Sequence, residues 1–163
     1  MKTLRVFKQL GPGYCGLACC QTALDYFGIE VNQKMLVSVM GLEDEASIYF
    51  GVSPETIVSL LSKSFGLEAL TGNRTPYDFL TRSDDGLVLV VYQKEDHIFF
   101  EKEVGHYSIV ADCDESTVVL ADPENGYPDL VWHEREEFEH NWWDASVTGV
   151  MYDRWALKVI KQH

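Results

Sequence analysis

The sequence predicts an α+β protein, with an N-terminal helical part packed on an antiparallel β-sheet. Three observations carry that prediction. Helix-boundary signals crowd the first half, at Gly28, at Ser53-Pro54-Glu55 and at Asn73-Arg74-Thr75-Pro76. At Leu87 the period changes, and Leu87-Val88-Leu89-Val90-Val91-Tyr92 is short and rich in β-branched residues, as a central strand is. Beyond it, Gly105–Asp112 and Ser116–Ala121 flank the polar turn Asp112-Cys113-Asp114-Glu115, the pattern of a hairpin.

Taken in order, Leu4-Arg5-Val6-Phe7 reads as a leading strand or arm, and Gly11-Pro12-Gly13 forbids regular structure. A helix is expected from about Gly16 to Phe27, closed by Gly28 at C′. Leu17, Cys20, Leu24 and Phe27 recur at i, i+3, i+7 and i+10, which gives it one face to bury. A second helix is expected over Gln33–Met40, ended by Gly41, while Leu42–Gly51 is acidic and gives no clear signal. Ser53 as N-cap, Pro54 at the first helical position and Glu55 in the first turn start a third helix. Ile57, Leu60, Leu61 and Ser64 carry it through Phe65 to Gly66. Leu67–Leu70 reads as a short strand, Tyr77–Arg82 as a two-turn helix, and Ser83-Asp84-Asp85-Gly86 as a turn. After the hairpin come a strand over Tyr127–Trp132 and a helix over Glu134–Trp143 anchored by Phe138, Trp142 and Trp143. A final strand over Gly149–Ile160 carries Trp155.

A length of 163 residues suits one domain with a real core, and 46% hydrophobic with 12% aromatic residues excludes a disordered chain. The longest clean apolar run, Leu87–Val91, is far too short to span a bilayer. MKTLRVFKQL lacks the apolar stretch of a signal peptide, so a cytoplasmic protein with reduced cysteines is expected. A net charge of −13 argues against nucleic acid as a partner and permits a basic peptide or protein. The cysteines are Cys15, Cys19, Cys20 and Cys113; Cys-x3-Cys-Cys lacks the paired spacing of a zinc site, so neither metal nor cofactor is expected. Cys19 and Cys20 are read as packing residues, with a resolving-thiol role for Cys19 as the lesser alternative. His97 is placed in a polar turn, and His133, His140 and His163 are placed on the surface.

Chemistry concentrates on Cys15. It falls at or just before a helix N-terminus, where unpaired N–H groups and the positive dipole end favour the thiolate, the nucleophilic form. Gln9 lies six residues earlier, across a turn that folds the chain back, so its amide is placed to donate to an oxyanion beside Cys15. His106 opens one hairpin strand and Asp122 follows the end of its partner, so antiparallel pairing brings the two together. A cysteine with a distant histidine and an aspartate is the nucleophile, base and orienter set of thiol acyl-transfer enzymes.

These residues resemble the C39 group of cysteine peptidases, papain-like enzymes of bacteriocin processing and their stand-alone relatives. The resemblance rests on Gln9-x5-Cys15-Gly16 with a helix behind it, Gly105-His106-Tyr107 at a strand start, and Asp122-Pro123 sixteen residues after the histidine. It runs from Gln9 to roughly Gly126. It implies a papain-like fold, with Cys15 as nucleophile, His106 as base, Asp122 as orienter and Gln9 as oxyanion donor. It implies a helical cleft wall over Leu42–Gly51 and a peptide substrate, such as a leader cut after a Gly-Gly pair. Many such domains are fused to an ABC transporter; 163 residues leave no room for one, so a stand-alone domain is expected. A thiol-dependent amidase or acyltransferase on the same fold, and a non-catalytic peptide binder, remain as alternatives. Nothing in the sequence sets the oligomeric state.

Overall fold

The strand-forming half of the chain folds into a six-stranded, fully antiparallel sheet, seen in a computed structural model that describes residues 3–42, 48–49, 51–81, 86–99, 102–126, 130–146 and 148–162. The strands are β1 (Glu68–Gly72), β2 (Gly86–Phe99), β3 (Lys102–Cys113), β4 (Thr117–Ala121), β5 (Leu130–Glu134) and β8 (Ala156–Ile160), in the spatial order β1-β8-β2-β3-β4-β5. A separate ribbon pairs β6 (Trp143–Ala145) with β7 (Met151–Asp153). The helices are α1 (Cys15–Tyr26), α2 (Gln33–Val39), α3 (Pro54–Ser59) and α4 (Arg135–Asn141).

The continuous apolar run of β2 has a simple cause: the sheet is covered on both faces. Leu87, Leu89 and Val91 of β2, with Tyr107, Ile109, Leu157 and Val159, join α1 in one core. Val88, Val90 and Tyr92, with Val110, Val118 and Leu120, join Tyr77, Leu80, Phe138 and Trp142 in another. Each face of the Leu87–Tyr92 run therefore buries alternate residues, and no position within it is left for a polar one.

The expected boundaries of the first two helices hold to within one or two residues. Asn32 caps α2 by accepting from the Met35 N–H, and Ser53 caps α3 by accepting from the Thr56 N–H. The single buried face expected of α1 proves too narrow, because all its residues but Asp25 are buried. The N-terminal arm covers its far side, with Val6 buried and the Phe7 N–H donating to Thr22 Oγ1 at 3.1 Å.

Other expectations need correction. The third helix ends in a π turn, Leu60–Ser64. The two-turn helix over Tyr77–Arg82 is a single 3-10 turn, Tyr77–Leu80. β2 runs on to Phe99, so His97 lies in a strand and not in a turn. Trp143 belongs to β6, and α4 keeps Phe138 as its buried anchor, with Trp142 just beyond it. The final strand is broken between β7 and β8, where Arg154 takes a positive φ of 47° and Trp155 is buried. His133 is half-buried, with its ring 5.8 Å from that of Tyr92 and 6.4 Å from that of Phe138. Its neighbours there come from β2 and α4, which no local pattern on β5 announces. Most of Leu42–Gly51, the turn residues 83–85 and the first half of the Tyr127–Trp132 strand lie outside the described residues, as does His163.

Candidate active site

Cys15 is the first residue of α1, and Tyr14 precedes it as the N-cap. The turn before the helix closes with the Tyr14 N–H donating to the Gly11 carbonyl at 3.2 Å. Gly16 lets the helix start approach the sheet: a Cβ there would lie 3.1 Å from both Ile57 and the Tyr107 ring. Tyr107 is itself held, by its hydroxyl donating to the Val52 carbonyl at 2.7 Å and by its ring standing edge-on to Trp155. The residue after Cys15 and the residue after His106 are thus in contact, which joins the two halves of the site.

His106 is buried on β3, opposite Tyr92 of β2. Gly105 before it has no side chain, because a Cβ there would land on the Asp144 carboxyl. The His106 ring stands edge-on to Tyr92, with centroids 5.9 Å apart. His106 Nε2 and Asp122 Oδ1 are 2.7 Å apart and both side chains are fully buried. With Nε2 held by Asp122, Nδ1 is the nitrogen left for the Cys15 sulfur, and the sulfur and the imidazole each shift the other's titration.

Charge decides the protonation states. Burial by itself would push the Cys15 thiol up. The hydrogen bond and positive charge of His106, with the N–H groups of Tyr107 and Gly16, outweigh it and leave the thiol below its usual value. Burial likewise opposes the imidazolium, yet Asp122 and Cys15 raise His106 to about 9. Burial opposes the Asp122 carboxylate too, but His106, Lys94 and the Glu124 N–H hold it well below the usual carboxylate range. The thiol is thus lowered and the imidazole raised, the two directions that favour a thiolate–imidazolium pair.

Asp122 sits just past the end of β4, in a turn where the N–H groups of Asn125 and Gly126 donate to its carbonyl. The same turn reaches Gln9, whose N–H donates to the Pro123 carbonyl at 2.7 Å. The Gln9 side chain folds back, Nε2 donating to the Gly11 carbonyl at 3.1 Å. Cys15, His106 and Asp122 are therefore brought together, and Gln9 is tied to the Asp122 turn through its backbone.

Two further residues had no signal in the sequence. Lys94 Nζ donates to Asp122 Oδ2 at 2.8 Å and also bonds the Glu124 carboxylate. Alternation along β2 from Tyr92 would have placed Lys94 on the His106 face, but only once the β2–β3 register was known. His106, Asp122 and Glu124 each offer one ligand atom within 4.8 Å of the others, a spacing compatible with a metal. The cation those carboxylates hold here is the Lys94 ammonium.

The chain resembles solved structures over nearly all its length. It matches the peptidase domain of Streptococcus ComA, a bifunctional ABC transporter of a quorum-sensing pathway, with a TM-score of 0.67 and 17% identity, covering 98% of this chain and 100% of that one. It matches a C39-like peptidase from Bacillus anthracis with a TM-score of 0.68 and 19% identity, covering 99% of each. It also matches a double-glycine-motif protease of an AMS/PCAT transporter, solved with its leader peptide, with a TM-score of 0.66 and 17% identity over 98% of this chain and 93% of that one. At such identities the likeness shows the fold. No curated protein sequence matches. Among the described residues no helix is long and apolar enough to cross a membrane. The Peptidase C39 family itself matches residues 4–148, and the chain belongs to that family of cysteine peptidases.

Proposed function

We propose that the chain is a single-domain thiol peptidase that hydrolyses a peptide bond through Cys15, His106 and Asp122. The observation that carries this reading is that the buried Cys15 thiol is lowered, against the cost of burial, by an imidazole whose far nitrogen is held by a buried carboxylate. The Cys15 thiolate attacks the carbonyl carbon of the scissile amide, and a C–S bond forms. Gln9, which has a second Nε2 hydrogen, and the Cys15 N–H stabilise the oxyanion; a donor of this kind contributes about 3 kcal/mol. The C–N bond breaks as His106 gives its proton to the leaving amine. His106 then takes a proton from water, the resulting hydroxide attacks the thioester, and the thiolate is released. Asp122 keeps the Nε2 proton on its own side of the ring throughout.

The leader peptide bound by the double-glycine protease supports a leader-type substrate with small residues before the cut. The reading includes a cytoplasmic setting, where the thiolate stays reduced.

Cys15→Ala should lower turnover of a Gly-Gly peptide on the order of 10⁴-fold or more. In the parent, a peptide aldehyde should add to Cys15, and mass spectrometry should find the free acid as product with and without an added amine acceptor. A Cys15→Ala variant that still cleaves would sink the reading. An amide product in the presence of the amine would make the protein an acyltransferase instead.

A further inference from the structure

We propose that Lys94 is a positioning residue for the hydrolytic reaction, acting through Asp122 and anchored by Glu124. This rests on the assignment of Cys15, His106 and Asp122 above. The two oxygens of Asp122 do different work. Oδ1 takes the His106 Nε2 contact at 2.7 Å and the Glu124 N–H at 2.8 Å. Oδ2 takes Lys94 Nζ at 2.8 Å. With a donor on each oxygen, the carboxylate cannot turn about its own axis without losing one of them.

The charge on Lys94 matters most after acylation. In the resting state two cations, His106 and Lys94, face the buried Asp122. Once His106 has given its proton to the leaving amine, the imidazole is neutral and only the ammonium remains. Burial would then pull Asp122 toward its protonated form. Lys94 stays charged, because its bonds to Asp122 and Glu124 outweigh the cost of its partial burial. Asp122 therefore remains an acceptor for Nε2–H, and the Nδ1 lone pair stays turned to the incoming water.

The fold gives Lys94 this place for a local reason. Tyr92 pairs with His106 and Gln93 with Gly105, and the β2–β3 register then shifts before Ile98. Lys94 is the first residue beyond the regular pairing, on the His106 face. Its side chain reaches across to the 122–126 turn, where Glu124 holds the ammonium from the other side. Glu124 also offsets the second positive charge, so the four groups together are neutral when His106 is protonated.

The test compares Lys94→Met, Lys94→Arg and Glu124→Gln on a fluorogenic peptide carrying a Gly-Gly pair before the scissile bond. Lys94→Met should lower kcat about 10- to 100-fold with KM within about twofold, since the ground-state cleft is untouched. Without the competing cation, Asp122 holds the imidazolium more tightly in the acyl-enzyme. The acid limb of the kcat profile should therefore move up by about one-half to one pH unit. Lys94→Arg should stay within about threefold of the parent, because its guanidinium reaches both carboxylates. Glu124→Gln leaves the Lys94 charge uncompensated, so the acid limb should move the opposite way, down, at smaller size; that downward shift carries the test alone if Lys94→Met does not fold. A lowered kcat with an unmoved acid limb, or Lys94→Arg as damaged as Lys94→Met, would overturn the proposal. Cys15→Ala measured alongside separates the two levels. If it is inactive while Lys94→Met matches the parent, only the Lys94 assignment falls; if it is active, the hydrolase reading falls first.

Discussion

Cys15 and Cys20 stand on one helix and both are buried, yet their thiols are pushed in opposite directions. At Cys20 burial acts alone and drives the pKa far above that of an ordinary thiol. Cys19 is driven the same way, with the charges of Cys15, Cys20 and Asp122 adding to burial. At Cys15 the same cost of burial is present and is overcome by His106 and by the N–H groups of Tyr107 and Gly16. His106 and two N–H groups act on Cys15, whereas nothing offsets burial at Cys20. Helix position and burial do not make a nucleophile; the partner across the interface does.

The largest effect should come from removing that partner. His106→Ala leaves Cys15 with burial as its dominant influence, so it should join Cys20 in kind. Its alkylation by iodoacetamide at pH 7 should slow on the order of 10²-fold, because only the thiolate reacts. In the parent, Cys15 should react faster than Cys113, although Cys113 is the more exposed; Cys113 is raised, chiefly by burial. Equal rates at the two positions would contradict the activated thiolate.

A smaller effect should follow from weakening the partner. Asp122→Asn removes the carboxylate that raises His106, so the alkaline limb of the activity profile, expected near 9 in the parent, should move toward the ordinary histidine value. Turnover at pH 8 should fall roughly 10- to 100-fold as the imidazolium becomes scarce. Stability carries the same signature. The folded pKa of His106 lies above the ordinary histidine value of 6.5, so the ion pair contributes fully below pH 6.5 and is lost as pH rises through about 9. Melting temperatures of the parent and the variant should therefore differ most just below pH 6.5 and converge above pH 9.

The smallest effect on activity belongs to the second turn. Cys20→Ala should leave kcat unchanged and cost about 1 to 2 kcal/mol of stability, the scale of a methyl-sized cavity in a packed core. Thermal unfolding measured beside kcat checks both parts. A loss of turnover larger than the loss of folded protein would mean that the core behind Cys15 also sets its reactivity.

Much of this architecture is written locally. Ser53-Pro54 starts a helix because a side-chain cap and a preset φ act within one turn, and both are found there. The Cys15 helix start and the His106–Asp122 hairpin were legible for the same reason, since short-range signals bound each element. The misjudged stretches are those where distant parts decide. β2 was expected to end near Tyr92 because its polar continuation lacks a strand pattern, yet β3 pairs with it as far as Phe99. The sequence pattern of the last strand is continuous, but Trp155 turns into the core against Tyr107, and the chain breaks at Arg154 to allow it. His133 looked like a surface residue because its neighbours, Tyr92 and Phe138, lie far away in sequence.

The sequence by itself determined the class of fold, the start of α1 at Cys15 and the hairpin that joins His106 to Asp122, because caps, turns and periodicity act over a few residues. Only the tertiary structure decided which groups surround each thiol, so that the one at position 15 is lowered while burial raises those at 19 and 20, and that Lys94 and Glu124 join Asp122. Electrostatic coupling depends on distance in space and on the exclusion of water, and neither exists until the helix and the sheet have packed together.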